Sequence, residues 1–290
     1  MILHAMAKRE TISIVGAGSL GSALASALHK AGFRIEELIT RNVARSVKKA
    51  QTLAKRVGAR AARITDAALT ADVVWICVND DAIRSVAEEL AEREDWRGKI
   101  ALHSSGALAS DELLALQRKG ASVGSVHPMM TFVRDAAPSF KGVAFALEGD
   151  AKATAFGRKV ALALEMEPFI IPKESKVLYH AAGSFASPMF VALMAYAEQV
   201  AAAAKVPRDK VGKVIHPILV KTLQNYLAKG AAAAFSGPIN RGDLATVRKH
   251  LTALKRVPAA REVYVRLARE AARTLPVKNR AAIARLLAGK

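Results

Sequence analysis

The stretch "SVHPMMTF", residues 125–132, sets one imidazole, His127, among apolar residues with a proline directly after it. A second stretch, "LHSSGAL" (102–108), gathers His103, Ser104 and Ser105. A third, "KESKVLYHAAGSFASP" (173–188), carries Lys176 and His180 four residues apart. Imidazole, ammonium and hydroxyl groups are the side chains that pass a proton to a reacting atom, or polarise a carbonyl or imine. A lone histidine in an apolar run is ordinarily a core residue with one satisfied hydrogen bond. His127 differs because the residues before it read as a strand, so it stands at that strand's carboxyl end, with Pro128 fixing the backbone beyond. His103 falls inside a strand pattern and reads as core, while His216 and His250 lie in helical sequence with no visible partner. On a helix, Lys176, His180, Gly183, Ser184 and Ser187 fall at i, i+4, i+7, i+8 and i+11, one polar or small stripe suited to line a cleft.

The elements that must position these groups alternate. "TISIV" (11–15), "RIEELIT" (34–40), "DVVWICV" (72–78), "KIALHSS" (99–105), "ASVGSVH" (121–127), "GVAFALEG" (142–149) and "PFIIP" (168–172) read as strands, with helical patterns such as 19–32 and 44–58 between most of them. Near-continuous apolar strands separated by helices predict a parallel sheet covered on both faces, wound in the doubly wound manner. In such a sheet ligands bind outside the carboxyl ends of the strands. After about Pro172 strand patterns stop, and alanine-rich helical patterns continue over 173–205, 208–229, 241–254, 258–274 and 278–288. The expected organisation is therefore an α/β Rossmann domain over 1–172 and an all-helical domain over 173–290. Pro188 should bend the first of these helices, because it supplies no amide to the preceding turn.

Between the first strand and first helix, "IVGAGSLGSAL" places Gly16, Gly18 and Gly21 in the spacing G-x-G-x-x-G. Alone the pattern is weak; between a strand and a helix it is the dinucleotide-binding fingerprint. Gly16 permits the tight turn, Gly18 the approach of a diphosphate, and Gly21 close helix–strand packing. The diphosphate would rest on the amides of Ala17, Ser19 and Leu20 at the helix start. A dinucleotide lacking the 2′-phosphate is ordinarily held by an acid at the end of the second strand. Here that position reads Thr40-Arg41-Asn42, with Arg45 one turn on, while Glu36 and Glu37 lie at the wrong end of the strand. Guanidinium groups at Arg41 and Arg45 suit a 2′-phosphate, so NADP(H) is the expected cofactor. Val78, Asn79 and Asp80, after the next strand of the binding half, should border its ribose and nicotinamide, and Asp81 should cap the following helix.

Composition bounds what else the chain could be. Its 290 residues, 52% hydrophobic, can bury a sizeable core, and one cysteine excludes internal disulfides and suits a reducing compartment, so a cytoplasmic setting is expected. The first ten residues carry too short an apolar run for a secretory signal. The apolar run at 181–204 is interrupted by Ser184, Ser187, Pro188, Glu198 and Gln199 and reads as a buried helix rather than a membrane span. Lys and Arg total 44 against 25 Asp and Glu, a net +19. That excess raises nucleic acid as a partner, but the basic residues are scattered and aromatics are only 5%, so an anionic cofactor or substrate is the favoured explanation. No metal site is expected.

The motifs "IVGAGSLGSALASAL", "HSSGAL", "HPMMTF", "LYHAAGSFAS" and "GPINRGDLATVRKHL" together resemble the Rossmann-like oxidoreductases with an uncharacterised C-terminal helical domain, a deazaflavin-dependent NADP-reductase-like group. The likeness covers nearly the whole chain. It implies an architecture shared with pyrroline-carboxylate reductase, ketopantoate reductase and 6-phosphogluconate dehydrogenase, whose helical domains commonly pair into homodimers. It also implies that Asn240, Arg241 and Asp243 border the cleft, although capping and packing would explain them equally. The His-Pro-Met at His127 is similar to that of prephenate and arogenate dehydrogenases, which makes His127 the acid/base and Ser105 a neighbour of the substrate hydroxyl or nicotinamide. Arg41 departs from the acid that NAD-using members of that group place there, and Ser187-Pro188 stands where the chain's own family usually has Ser-Asn. The resulting expectation is an NADP(H)-dependent oxidoreductase acting on a small anionic substrate. His127 is first choice as proton handler, and Lys176 and His180 are second. A prephenate-type dehydrogenase, a non-catalytic NADP sensor and a deazaflavin hydride partner stay open.

Overall fold

A computed structural model of the chain describes residues 10–41, 44–132 and 138–289. Among them, eight strands form one sheet in the order β3-β2-β1-β4-β5-β6-β7-β8. The strands are β1 (Thr11–Val15), β2 (Arg34–Thr40), β3 (Arg60–Arg63), β4 (Val73–Ile76), β5 (Ile100–His103), β6 (Ser122–Pro128), β7 (Ala144–Gly149) and β8 (Glu167–Ile170). The helices between them are α1 (Ser19–Lys30), α2 (Ala44–Val57), α3 (Asp80–Ala91), α4 (Leu114–Arg118) and α5 (Ala151–Ala163). Then follow α6 (Lys176–Ala186), α7 (Pro188–Ala203), α8 (Val211–Ala234), α9 (Pro238–Arg241), α10 (Leu244–Ala253), α11 (Pro258–Thr274) and α12 (Arg280–Leu287).

The sheet is doubly wound. One face packs Ile12, Ile14, Trp75 and Leu102 against Leu24 and Leu28 of α1, Leu53 of α2 and Phe156 of α5. The other packs Val15, Val74, Ile76 and Ala101 against Ile83, Val86 and Leu90 of α3 and Leu116 of α4. With both faces covered, β4 and β5 are buried throughout and β1 beyond its first residue, which is why these central strands read as near-continuous apolar runs.

Several expectations are corrected. The sheet is not wholly parallel: β7 pairs antiparallel with β6, and β8 runs parallel to β7. A parallel neighbour would need a long crossover, ordinarily helical, and the described parts of this connection, 129–132 and 138–143, contain no helix. The short β3, "RAAR", carries no apolar run and was not expected. The helix foreseen over 173–205 is two, parted at Ser187, whose backbone (φ −126°, ψ −81°) is not helical and which precedes Pro188. That break follows from the steric demand of a proline ring on the residue before it. The helix foreseen over 208–229 extends to Ala234 across a non-helical Gly230. The apolar run at 181–204 is not buried within the chain: Phe185, Met189 and Val191 are 76%, 53% and 64% exposed. By length and composition alone the segment Lys173–Ala203 could cross a membrane.

The chain divides into two compact units after Ala186, beyond the change of composition at 172. The first unit retains α6 because Lys176 and Tyr179 bond to its strands. The second unit has its own small core of Ile239, Val247, Ala268, Ala272, Ile283 and Leu287.

Candidate active site

The glycine-rich turn is built as its spacing requires. Gly16 has φ +106°, a conformation that L side chains rarely adopt. A Cβ there would also run into the Cys77 backbone carbonyl. A Cβ at Gly21 would run into the Gly16 carbonyl oxygen and reach 3.2 Å from Cys77 Cβ. Gly18 differs, since a Cβ there would meet nothing within 4 Å. It is the N-cap of α1 and provides no side-chain cap. The first-turn amides of a helix have no partners within it, so the open face at Gly18 and the helix start of Ser19, Leu20 and Gly21 suit a diphosphate. Thus Gly16 and Gly21 hold the cradle's shape, and Gly18 leaves it unfilled.

Arg41 follows the last residue of β2 and is exposed. Asn42 lies outside the described residues, as does the side chain of Arg45, whose backbone lies in the first turn of α2. Glu37 has a structural role: it is 2% exposed, pairs with Arg60, and accepts the backbone amides of Ala68 and Leu69 at 3.0–3.1 Å and 3.0 Å. The cap of α3 is Asn79 rather than Asp81, and Asp80 and Asp81 occupy the first turn. Both stations favour a negative group by the helix dipole, and Asn79 simply precedes them.

Asp80 connects the nucleotide-binding strands to the proton-handling residues. Ser105 Oγ donates to Asp80 Oδ2 at 2.7 Å and accepts the amides of Ala107 and Leu108 at 3.2 and 2.9 Å. Ser125 Oγ, on β6, donates to the Ser105 carbonyl at 3.1 Å. Lys176 Nζ, at the start of α6, donates to both, at 2.8 Å to Ser125 Oγ and 3.2 Å to the Ser105 carbonyl. Lys176 is fully buried, and both its hydrogen-bond partners are neutral oxygens. Burial pushes its ammonium down to about 8, against Glu148 and Asp80, which favour the charged form.

His127 stands beside this cluster, half-buried near the end of β6. Its Nδ1 lies 3.1 Å from the Tyr179 hydroxyl, and the ring meets Tyr179 edge-on at 5.6 Å and His180 at 6.0 Å. Burial first, then the charges of Lys176, His180 and His103, push its imidazole down to about 4. His180 is exposed, with its Cδ2 facing Gly106. His103 behaves as the strand pattern foretold. It is fully buried, its Nδ1 accepts the Ser105 amide at 3.1 Å, and its Nε2 bonds the Ala109 carbonyl at 2.9 Å.

Ser105, His127, Lys176 and His180 are therefore brought together within the first unit, and Asp80 joins them. Tyr179 and Ser125 were not foreseen. Tyr179, three residues after Lys176 and four before Gly183, shares the face of the α6 stripe, so helical spacing could have found it, whereas Ser125 faces inward on β6 and carries no such signal. In the second unit, Asn240 Nδ2 donates to the Pro276 carbonyl at 2.8 Å, and Asp243 caps α10 by accepting the Thr246 amide at 3.0 Å. These are packing and capping contacts.

A doubly wound sheet with this glycine turn defines a dinucleotide-binding protein. Residues 11–104 match the family described as NADP oxidoreductase, coenzyme F420-dependent. Residues 143–271 match a domain of unknown function. The two matches follow one another along the chain, in agreement with the resemblance and with NADP(H) as cofactor. No relative is found among curated protein sequences. Among solved structures, the fold is similar to a Bacteroides fragilis protein described as an NADP oxidoreductase (23% identity, 90% of this chain and 97% of that one, TM-score 0.73). It is also similar to a Thermotoga maritima protein (24%, 95% and 98%, 0.71). A third is an imine reductase from Myxococcus stipitatus in complex with NADP+ (19%, 96% and 99%, 0.67).

Proposed function

We propose that the protein is an NADP(H)-dependent oxidoreductase that transfers a hydride to or from a small anionic substrate at the carboxyl ends of β5 and β6. The observation that carries this reading is Lys176. A fully buried ammonium with only neutral hydrogen-bond partners is costly to keep, and such groups concentrate where chemistry needs them. It lies in one connected cluster with Asp80, Ser105 and Ser125, beside His127. NADPH, when bound, supplies the hydride. Gly16, Gly18 and Gly21 hold its diphosphate, and Arg41 and Arg45 its 2′-phosphate. Ser105 orients the reacting group, Lys176 supplies positive charge and the proton inventory beneath it, and His127 and His180 face it from β6 and α6. The net charge of +19 supports an anionic substrate.

Titration of the protein's fluorescence change with NADPH and NADH tests the cofactor reading. NADPH should bind more tightly, and Arg41→Ala should cut NADPH affinity roughly 10- to 100-fold, as loss of one charge-assisted hydrogen bond would, leaving NADH unaffected. Absence of binding by either nucleotide would sink the oxidoreductase reading.

We also infer that a second copy of the chain covers the apolar faces of α7 and α8. Phe190, Val191, Val214, Ile218, Leu223 and Leu227 are exposed, and a mainly apolar groove of about 860 Å³ between α7, α10 and α11 lies open in the second unit. Lys213, Lys221 and Lys229 alternate with these residues along α8, which favours a protein surface over lipid. Light scattering at micromolar concentration should give twice the chain mass, and Leu223→Lys should give monomer. A monomeric wild type would remove the inference.

A further inference from the structure

The contact between Tyr179 and His127 fixes more than the angle of a ring. A neutral imidazole carries its proton on one nitrogen, and the partner of the other nitrogen selects which. Two arrangements satisfy the 3.1 Å separation of His127 Nδ1 and the Tyr179 hydroxyl. If Nδ1 carried the proton and donated, the phenol's own proton would need an acceptor, and Tyr179 has no other hydrogen-bond partner among the described residues. Nε2 would then present a lone pair, and it too has no partner among the described residues. Two polar atoms would go unmatched. If the phenol donates to Nδ1, only the Nε2 proton is left over. Burial supports that direction by pushing the phenol up to about 12, which keeps its proton in place at any working pH.

The Nε2 edge of the ring faces Gly106. A Cβ on residue 106 would stand 2.9 Å from His127 Nε2 and 2.6 Å from His180 Cδ2. Both distances are shorter than real Cβ contacts, so glycine at 106 is what lets the backbone pack this closely against the two imidazoles, with no side chain in front of Nε2. The groups around His127 are Lys176 and His180 on α6, His103 on β5 and Tyr179 itself, and none is a carboxylate that would draw a proton onto both ring nitrogens.

We infer that Tyr179 is a positioning residue that holds neutral His127 as its Nε2–H tautomer, so that the ring edge beside Gly106 offers a hydrogen bond to an acceptor atom of the substrate. The acceptor is a carbonyl oxygen or an imine nitrogen, whose polarisation by a neutral donor assists hydride addition at the adjacent carbon. This deepens the oxidoreductase reading and rests on it only for the substrate's identity. It also divides the labour of the site: His127 polarises without changing charge, and the proton that finally moves comes from elsewhere in the cluster.

Nitrogen-15 NMR of histidine-labelled full-length protein at pH 7 tests the tautomer without any turnover. The His127 ring, assigned by its loss in His127→Gln or His127→Asn, should show a protonated Nε2 and an unprotonated, hydrogen-bonded Nδ1. Tyr179→Phe removes one hydroxyl from a half-buried residue and should convert the signal to a mixture of tautomers. A His127 protonated on Nδ1, or a tautomer unchanged in Tyr179→Phe, would overturn the inference. Where an assay with NADPH and a carbonyl or imine panel succeeds, Tyr179→Phe should lower turnover about tenfold with little change in NADPH affinity, as loss of one hydrogen bond does. A protein that shows the expected tautomer but reduces nothing would leave the positioning intact and remove the oxidoreductase reading instead.

Discussion

Replacing Lys176 with methionine is expected to lower turnover by roughly 10²- to 10⁴-fold, the range for loss of a group that handles a proton in the transition state, while NADPH affinity stays within twofold. The fold should survive. Methionine matches the aliphatic stem, and Ser125 Oγ already donates to the Ser105 carbonyl that Lys176 would abandon. Exchanging a buried charge for an apolar side chain is often neutral or stabilising, so the melting temperature should hold or rise. A collapse in stability together with activity would show that Lys176 is only a strut. The pH dependence gives an independent check. In the reducing direction the ammonium is the useful form, so activity should fall as pH rises through about 8. In the oxidising direction it should rise through the same value. The lysine's pKa is about 8 in the folded protein against 10.5 ordinarily, so between those values the unfolded chain binds more protons. Stability should therefore increase with pH across that window, by about 3 kcal/mol from this group. Lys176→Met should erase that slope in denaturant melts.

The second large effect concerns the glycine turn, and it separates shape from access. Gly21→Ala should raise the NADPH dissociation constant at least about 100-fold, equivalent to about 2.7 kcal/mol. Its Cβ would press on the Gly16 carbonyl and force α1 away from β1, costing about 1–3 kcal/mol of stability as overpacking does. Gly18→Ala should lose affinity as well but keep its melting temperature, because its Cβ enters open space. Parallel titrations and thermal melts of the two variants check this. Equal melting temperatures for both would mean that helix and strand are not held as closely as described. Unimpaired NADPH binding by Gly18→Ala would mean that the diphosphate does not lie on this turn.

How much of this was legible depends on the distance over which each feature is decided. The glycine turn is local: its conformation is set by residues 15–21, and the pattern plus a strand and a helix was sufficient. The stripe on α6 was legible because helical spacing is fixed, so Lys176 and His180 could be placed on one side before their partners were known. Strand direction was not legible. A strand buried on both faces is an apolar run whichever way it points, so "AFALEG" gave no sign that β7 is reversed. Asp80 and Ser105 could each be assigned to a strand end, but their bond depends on β4 and β5 being neighbours. Tyr179 shares that side of α6 by its spacing, but the role of its hydroxyl was illegible, since it has meaning only beside His127. The apolar character of α7 and α8 was plain, but hydropathy states that a surface wants cover and not what covers it.

The reversal of β7 and β8 has a mechanical outcome. Because β8 runs against β6, the chain leaves it heading away from the ligand edge, with Ile170 level with Val126 through Leu147, and α6 then climbs alongside β6 toward that edge. Lys176 meets Ser125, Tyr179 meets His127, and Gly183 lies against Met129, where a Cβ would reach 2.5 Å from the sulfur. Steps of three and four along the helix keep pace with steps of two along the strand, like a pinion on a rack. The three contacts are therefore a single degree of freedom. One residue added between β8 and α6 would turn the helix by about 100°, withdrawing the ammonium, the phenol and the notch at Gly183 in one movement. The spacing of the reacting groups is thus set less by any one side chain than by the length of the link at 171–175.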